Sequence, residues 1–326
     1  MNLTQSPTEA NPRPRNITKQ QRGENVEDVQ EMQPRPIIPG TTYMLTRRTT
    51  QRMFLLRPSP KINACIRYCL ALAQRRAGLL VHAVVFLSNH YHIIVTDKDG
   101  TLPEFTEELN KLLARSLNCL HGRWEGFWSS GAQVSHVRLE SAEDVLAKTV
   151  YSLANPTEAM LVSHGDKWPG VRLFRKGKYL AKKPDFFFRS EEEGGLSDRL
   201  NLILTPPPIG FAPERTDKVV QAAVSSREKE LRDEAHFEGR RFMGAAAVKR
   251  QHIYDSPAGP APRRRLSPQV ACKDKWRRIE VLERLVEFVQ KHEQKRVAFL
   301  AGARNVLFPP GTYQIVKQFG ARCAEH

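Results

Sequence analysis

Two histidines separated by a single residue, in His90-Tyr91-His92, form the first candidate site in the sequence. In a strand, side chains alternate between the two faces, so both imidazoles would point the same way, about 7 Å apart along the backbone. Two imidazoles at this spacing can hold one divalent cation together. The spacing is equally compatible with two ordinary histidines, because the chain contains ten of them.

Tyr151 and Asn155 form the second candidate site. They lie four residues apart in a segment with helical periodicity, so they share one face of the predicted helix. A tyrosine hydroxyl beside a metal-bound phosphate is a suitable nucleophile, and an amide oxygen is a suitable ligand for a hard cation. Pro156 disfavours helical geometry at Asn155, which predicts a distortion of that face. Tyr151 alone is also compatible with a half-buried tyrosine whose hydroxyl contacts water.

A predicted β-hairpin positions the two histidines. Residues 81–87 are predicted as an apolar strand and residues 90–96 as the returning strand, with Ser88-Asn89 between them as a two-residue turn. Further strands are predicted over residues 43–50 and 133–139.

Three helices are predicted around these strands. The first begins at Ser59 ahead of a proline, the second spans residues 102–120, and the third begins at Ser141, with Glu143 and Asp144 in its first turn where the helix dipole favours acids. The apolar positions of the first two recur at helical spacing: Ile62, Ile66, Cys69, Leu70 and Ala73 in one, and Phe105, Leu109, Leu112, Leu113 and Leu117 in the other.

The order strand, helix, strand, strand, helix, strand, helix predicts an α+β fold. It is typical of the ferredoxin-like arrangement, an antiparallel sheet backed by helices. Residues 41–190 are expected to form this domain. Residues 1–40, rich in Pro, Asn, Gln and Arg, are expected to be a disordered tail.

Residues 191–326 are expected to be a basic, mainly helical C-terminal extension. Charged helices are predicted over residues 214–251 and 273–299. The apolar stripe of the second helix is expected to pack in a core, with a small helical DNA-binding module as the alternative. Its members are Ile279, Leu282, Val286 and Val289. Residues 263–265, three arginines in a proline-rich linker, could contact phosphate or be solvated.

The charge of the chain favours a polyanionic partner. Its 51 Lys and Arg against 35 Asp and Glu give a net charge of +16 and a pI of about 9.9, which points to nucleic acid or an acidic membrane surface. No apolar run approaches the ~18 residues of a membrane span, and the amino terminus does not look like a secretory signal. Five cysteines without a CxxC pair argue against a disulfide scaffold or a zinc ribbon. A cytoplasmic location is therefore expected.

Several segments, taken together, resemble a known family. LSNHYHIIV at 87–95, WEGFWSS at 124–130, YSLANPTEAMLV at 151–162 and the Trp168-Pro169 pair are similar to the HUH-type single-tyrosine transposases, in particular the REP-associated tyrosine transposase branch. His90-Tyr91-His92 matches the His-hydrophobic-His motif, and Tyr151 through Pro156 matches the Tyr-x-x-x-Asn-Pro segment. Residues 41–56 also look like the family's first strand. The resemblance covers about residues 40–175.

The resemblance implies an enzyme that cleaves and rejoins single-stranded or hairpin DNA, in transposition or mobilisation of repeat elements. Tyr151 would be the nucleophile and form a 5′-phosphotyrosine intermediate. Mg²⁺ or Mn²⁺ would be held by His90, His92 and Asn155. Basic residues that could grip the phosphate backbone, each also compatible with an ordinary solvated charge, are Arg47, Arg48, Arg52 and Arg123.

The sequence is also compatible with two other functions. A non-catalytic, domesticated descendant would keep the fold and the positive charge and bind DNA only. A metal-dependent DNA hydrolase would use the histidine pair to activate water without a covalent step. The oligomeric state, monomer or homodimer, does not follow from the sequence.

Overall fold

A mixed eight-stranded sheet forms the centre of the fold in a computed structural model that describes residues 34–130, 134–187, 197–259 and 268–325. Its strands are β1 (Thr41–Arg48), β2 (Leu80–Phe86), β3 (His90–Asp97), β4 (Ser135–Leu139), β5 (Arg172–Leu173), β6 (Gly177–Lys182), β7 (Arg199–Leu204) and β8 (Val270–Ala271). The strand order is β6-β7-β2-β3-β1-β4-β8, and β5 pairs with β2 as well.

Seven α-helices accompany the sheet in the described part of the chain. They are α1 (Pro60–Ala77), α2 (Leu102–His121), α3 (Ala142–Glu158), α4 (Pro213–Phe237), α5 (Ala245–Arg250), α6 (Lys275–Leu300) and α7 (Gln314–Phe319). A two-stranded parallel sheet near the carboxyl terminus pairs β9 (Leu307–Phe308) with β10 (Arg322–Cys323). None of these helices is both long enough and apolar enough to cross a membrane.

The four central strands, β2-β3-β1-β4, pair antiparallel throughout. The expectation of a wholly antiparallel sheet was nevertheless wrong, because β7 joins β2 in parallel and β8 joins β4 in parallel. Both of these strands come from beyond residue 190, in the part of the chain for which the sequence predicts mainly helices. The α+β class is confirmed, with a mixed rather than an antiparallel sheet.

The two faces of the sheet carry separate cores. On one face, Tyr91 and Ile93 of β3 belong to a cluster with the buried sides of α1 and α2. On the other face, Ile94 of β3 belongs to a cluster with Val145 and Leu153 of α3. Side chains two residues apart in a strand point to the same face, so His90 and His92 lie on the same face as Ile94, which is the α3 face.

Local signals in the sequence account for the helix starts. Ser59 accepts a hydrogen bond from the Ile62 backbone N–H (3.2 Å), and Ser141 accepts one from Asp144 (3.1 Å), so both predicted N-caps are confirmed. Gly78, at φ +71°, ends α1 in the left-handed region that glycine adopts without strain. All the apolar positions predicted for α1 and α2 are buried.

Two expectations for the carboxyl-terminal third were wrong. The single helix predicted over 214–251 is divided into α4 and α5, and Gly239 and Gly244 in the connection adopt positive φ angles of +64° and +86°. The stripe expected to pack in a core is largely exposed in α6: Ile279 is 36%, Leu282 45% and Val286 57% accessible.

Some predicted features lie outside the described residues. These are residues 1–33 of the expected tail, residue 133 at the start of the fourth predicted strand, and the arginines 263–265. Within residues 34–40, Ile37 is buried, and its N–H donates to the Gly311 carbonyl (2.9 Å). The domain boundaries at 40 and 190 remain predictions.

Candidate active site

The four residues singled out in the sequence lie together in the structure. The ring centroids of His90 and His92 are 5.0 Å apart, and those of His92 and Tyr151 are 5.4 Å apart. The Asn155 side chain lies within hydrogen-bonding reach of both His90 and the Tyr151 hydroxyl. One face of β3 and one face of α3 therefore meet in a single polar site.

The register of β1 adds two further residues to this site. Thr46 is paired with His92 across the β1–β3 ladder, and Arg48 is paired with His90. Directly paired residues point to the same face of a sheet. Thr46 and Arg48 therefore lie on the α3 face, whereas Arg47 points away from it.

Pro156 does not interrupt the helix that carries Tyr151 and Asn155. The helix α3 continues from Ala142 to Glu158 with Pro156 inside it. The prediction that this proline distorts the helix at Asn155 was therefore wrong. Asn155 stays in helical register and is buried, at 7% accessibility. The four-residue spacing therefore does place Tyr151 and Asn155 on one face.

Asn89 determines which nitrogen of His90 carries the proton. The Asn89 Nδ2 atom donates to the Arg52 carbonyl (3.1 Å), which leaves its Oδ1 facing the His90 Nδ1 at 2.7 Å. Because this oxygen can only accept, Nδ1 must be the protonated nitrogen. The Nε2 of neutral His90 consequently carries the lone pair, and a nitrogen in this form can bind a metal ion.

His92 presents an unpartnered nitrogen. Its Nδ1 lies 2.8 Å from the Thr46 hydroxyl oxygen, whereas its Nε2 is buried without a hydrogen-bond partner among the described residues. Buried polar atoms are rarely left unpaired, so the His92 Nε2 is a nitrogen that could accept a ligand. The two imidazoles and the Asn155 amide oxygen are donors that suit a divalent cation.

The environment keeps both imidazoles neutral. The pKa of His90 is lowered to about 4, mainly by burial and also by the Arg48 cation, while the hydrogen bond with Asn155 opposes the shift. Burial also lowers the pKa of His92 well below its usual value, with additional contributions from His90, Arg48 and Lys148. Neutral imidazole is the form of histidine that can bind a metal ion.

Tyr151 is a neutral phenol in this environment. Burial raises its pKa, Glu158 raises it further, and Arg48 and the Asn155 hydrogen bond lower it. The Lys148 ammonium lies 5.4 Å from the centre of the Tyr151 ring. Tyr151 is still 39% accessible, so its hydroxyl can be reached from solvent.

Three of the four predicted phosphate-gripping arginines have other contacts. Arg47 stacks on Trp128 at 5.2 Å, Arg52 donates to the Gly259 carbonyl (3.2 Å), and Arg123 pairs with Glu125 (3.2 Å). Arg48 is exposed and lies near the histidines and Tyr151.

Thr46, Asn89 and Lys148 were not identified as site residues from the sequence. Asn89 could have been found, because it directly precedes His90 in the chain. Lys148 lies three residues before Tyr151, which is one helical turn and therefore the same side of α3. Thr46 reaches the site only through the pairing of β1 with β3, for which the sequence near His92 carries no signal.

The residue types at the site differ from those of most metal centres. Among the described residues, no group of three or more His, Cys, Asp or Glu side chains is placed to hold a metal ion. Two histidines and an amide would have to supply the protein ligands here, with Asn155 as the third.

Comparison with known proteins gives distant, partial similarities. No protein-family model matches the sequence, and no curated protein matches it. The chain is similar to a solved REP-associated tyrosine transposase bound to a REP hairpin, with a TM-score of 0.36 and 21% identity over 42% of this chain and 78% of the other. It is also similar to a Deinococcus radiodurans protein described as a candidate transposase, with a TM-score of 0.26 and 18% identity over 35% and 88% of the two chains. Both matches cover less than half of this chain.

Proposed function

We propose that this protein cleaves and rejoins DNA strands, with the Tyr151 hydroxyl as the nucleophile. The observation that carries the proposal is the meeting of Tyr151 with His92 and, through Asn155, with His90. A nucleophile, two metal-ligating nitrogens and a hard-ligand amide at one place are the parts that metal-assisted phosphoryl transfer requires.

The proposed step exchanges one phosphodiester for another. The Tyr151 oxygen forms a bond to the scissile phosphorus and loses its proton, while the bond from phosphorus to the 3′ oxygen breaks and that oxygen leaves as a 3′-hydroxyl. The downstream strand is then joined to Tyr151 as a 5′-phosphotyrosine. Attack by a 3′-hydroxyl reverses the step and rejoins strands without an external energy source.

His90, His92 and Asn155 are the residues that would hold Mg²⁺ or Mn²⁺. When bound there, the cation would polarise the scissile phosphate and offset the charge that develops on it. The residues themselves prepare the site: Asn89 fixes the tautomer of His90, and burial keeps both imidazoles neutral.

The orientation of the phenol comes from α3. A helix holds Tyr151 against the His92 ring, which reduces the loss of rotational freedom when the hydroxyl must lie in line with the leaving oxygen. Free phenol has a pKa near 10, so about one molecule in a thousand is ionised at pH 7. Arg48 favours the phenolate, since its cation lowers the pKa of Tyr151.

Single-stranded or hairpin DNA is the proposed substrate. The segments 41–140 and 201–326 carry net charges of +6 and +9, while residues 1–40 carry none, so the positive charge lies mainly outside the amino-terminal segment. Positive charge that follows a phosphate backbone supplies much of the affinity for single strands. A REP hairpin is the ligand in the solved REP-associated transposase structure, and it provides the first DNA to test.

Formation of a covalent adduct tests this function. A hairpin with single-stranded flanks is labelled at its 3′ end, because a 5′-phosphotyrosine retains the downstream fragment, and is incubated with protein and Mn²⁺ or Mg²⁺. The wild type is expected to carry label through a denaturing gel. Tyr151→Phe removes one oxygen and keeps the ring, so the adduct should vanish while hairpin binding persists.

Tyr179→Phe is the matched control. Tyr179 lies on β6, where its hydroxyl donates to the Arg175 carbonyl (2.8 Å), and the loss of this hydroxyl should leave the adduct unchanged. An adduct that persists in Tyr151→Phe contradicts the assignment of the nucleophile. Cleavage without any adduct in the wild type would instead indicate a hydrolase, and hairpin binding without cleavage a domesticated DNA-binding protein.

A further inference from the structure

The helix α6 has two apolar stripes, and only one of them packs against the rest of the chain. The inner stripe contains Val281 and Phe288, which are buried, and the half-buried Leu285 and His292. His292 contacts Phe288 and Phe308, with ring centroids 5.8 and 5.5 Å apart. Phe308 belongs to a small core with Val306 and Ala321.

The outer stripe, formed by Ile279, Leu282, Val286 and Val289, faces away from this core. Three of its members are between 36% and 57% accessible, and Val289 is half-buried. The spacing of the stripe is three, four and three residues, which is the heptad spacing of a coiled coil, with Ile279 and Val286 at a positions and Leu282 and Val289 at d positions. An exposed seam of this kind is stabilised when a second helix covers it.

The residue types of the outer stripe favour pairing with one other helix in a parallel coiled coil. β-Branched residues at a, here Ile279 and Val286, together with Leu282 at d, favour a two-stranded parallel coiled coil, whereas Val289 at the second d position does not add to this preference. The next a and d positions are Glu293 and Arg296, which pair with each other within the helix (2.7 Å). The seam therefore ends after two heptads, which limits the affinity of any pairing.

Charged residues beside the outer stripe, without an ion-pair partner among the described residues, determine whether two α6 helices would pair in parallel or antiparallel. Arg278 lies at the g position before Ile279, and Glu283 lies at the e position after Leu282. Among the described residues, Arg278 pairs with no carboxylate, and its side chain donates to the Cys272 carbonyl (3.3 Å). Glu283 has no ion-pair partner there either, while the neighbouring Glu280 and Glu287 pair with Arg284 and Lys291.

In a parallel pair of identical helices, a g residue of one copy faces the next e residue of the other. Arg278 would then face Glu283 of the second copy, twice by symmetry. In an antiparallel pair, the e positions face each other and the two copies of Glu283 would repel. The charges thus complement each other in the parallel arrangement only.

We infer that the outer stripe of α6 is a self-association surface, on which two copies of this chain pair in parallel through Ile279, Leu282, Val286 and Val289. The pairing is weak and reversible because it spans two heptads. It is independent of the DNA-cleaving activity proposed above, since neither Tyr151 nor the histidines take part in it.

Sedimentation of the full-length, nuclease-treated protein at micromolar to submillimolar concentration tests the inference. The wild type should shift from monomer to dimer as concentration rises. Leu282→Glu should raise the dissociation constant about tenfold or more, because it places a charge in the apolar seam. Phe237→Glu is the matched control, since Phe237 is 91% exposed on another helix, and it should associate like the wild type. Circular dichroism checks that each variant is folded.

Charge reversal tests the parallel register. Arg278→Glu and Glu283→Arg should each weaken dimerisation alone, because like charges would then face each other. An equimolar mixture of the two variants should associate like the wild type, because both interhelical pairs become complementary in the heterodimer. A wild type that stays monomeric, a Leu282→Glu variant that dimerises normally, or a mixture that fails to recover would each overturn the inference.

Discussion

The Nδ1 atom of His90 lies 2.7 Å from the Oδ1 atom of Asn89, the residue that precedes it in the chain. The Asn89 amide is held in this orientation by its donation to the Arg52 carbonyl. Residues 51 and 52 adopt positive φ angles of 49° and 61°, which turns the chain after β1 back towards the hairpin. Through Asn89, the conformation of this turn therefore determines which ring nitrogen of His90, a candidate metal ligand, carries the proton.

Asn89→Ala should weaken metal binding without removing a ligand. The variant loses the acceptor that fixes His90 as the Nδ1–H tautomer, and loss of such a partner typically lowers metal affinity or activity by about 10- to 100-fold. Mn²⁺ affinity, measured by calorimetry, checks this. Asn63→Ala, which breaks a hydrogen bond to the Pro169 carbonyl elsewhere, should leave Mn²⁺ affinity unchanged. Equal affinity in wild type and Asn89→Ala would contradict the tautomer assignment.

Replacement of either histidine should separate DNA cleavage from DNA binding. His90→Ala and His92→Ala each remove a proposed ligand, so strand cleavage in Mg²⁺ or Mn²⁺ should be lost. Hairpin binding should persist, because phosphate contacts are spread over many cations. Asn155→Ala should cause a partial loss. The exposed His164 gives the control, and His164→Ala should cleave normally. Normal cleavage by His90→Ala would show that the metal assignment is wrong.

Local sequence patterns predicted the elements that carry the site. The α1 and α2 helices and the β2–β3 hairpin follow from apolar periodicity, N-caps and a two-residue turn, all of which act within a few residues of the chain. The shared face of His90 and His92, and that of Tyr151 and Asn155, follow from the strand and helix repeats.

Contacts between distant segments could not be predicted in this way. Thr46 reaches His92 across 46 positions of sequence, and β7 joins β2 across more than a hundred. For α6, periodicity identified an apolar stripe but not which of two stripes is buried. That choice depends on Phe308 and its neighbours, which lie beyond the helix in the sequence.

DNA affinity should fall steeply as the salt concentration rises. Each single-strand phosphate neutralised contributes a slope of about −0.7 to log affinity against log salt. Arg48→Gln and Lys148→Gln should each reduce the slope by about that amount, because both cations lie beside the candidate site. Arg227→Gln, whose guanidinium is already paired with Glu230 (3.0 Å), should leave the slope unchanged. A wild type without salt dependence would argue against a nucleic-acid partner.

His82 should make the protein less stable in acid. Its Nδ1 lies 3.0 Å from the Thr205 carbonyl and its Nε2 lies 2.8 Å from the Thr96 hydroxyl, and burial lowers its pKa from 6.5 to about 4. As the pH falls, His82 is protonated in the unfolded chain before it is protonated in the folded protein. The contribution of neutral His82 to the free energy of unfolding is therefore complete above pH 6.5 and is lost as the pH falls towards about 4. The full shift corresponds to about 3 kcal/mol.

Urea unfolding at several pH values measures that contribution. The loss of unfolding free energy between pH 7 and pH 4 should be smaller by about 3 kcal/mol in His82→Gln than in the wild type. His164→Gln replaces an exposed histidine and should follow the wild type. Identical pH profiles for His82→Gln and the wild type would rule out His82 as a source of acid instability.

Gly165→Ala should destabilise the fold by about 1–3 kcal/mol, the usual cost of overpacking a closely packed site. A methyl group there would lie 2.6 Å from the Arg172 guanidinium and from the Glu228 carboxylate. These groups cannot move away freely, because both side chains are buried, 3.5 Å apart, and the Gly165 N–H donates to Glu228 (2.9 Å).

The same substitution should also reduce DNA cleavage. Arg172 Nε donates to the carbonyl of Leu153 (3.0 Å), which lies in α3 between Tyr151 and Asn155, so displacement of the guanidinium disturbs the helix that carries the nucleophile. Chemical denaturation and adduct formation, measured on one preparation, check both effects. Gly126→Ala is the control, because the nearest atom to its methyl group would be 3.9 Å away, an ordinary contact. A Gly165→Ala variant as stable and as active as Gly126→Ala would show that Gly165 does not constrain the Arg172–Glu228 pair.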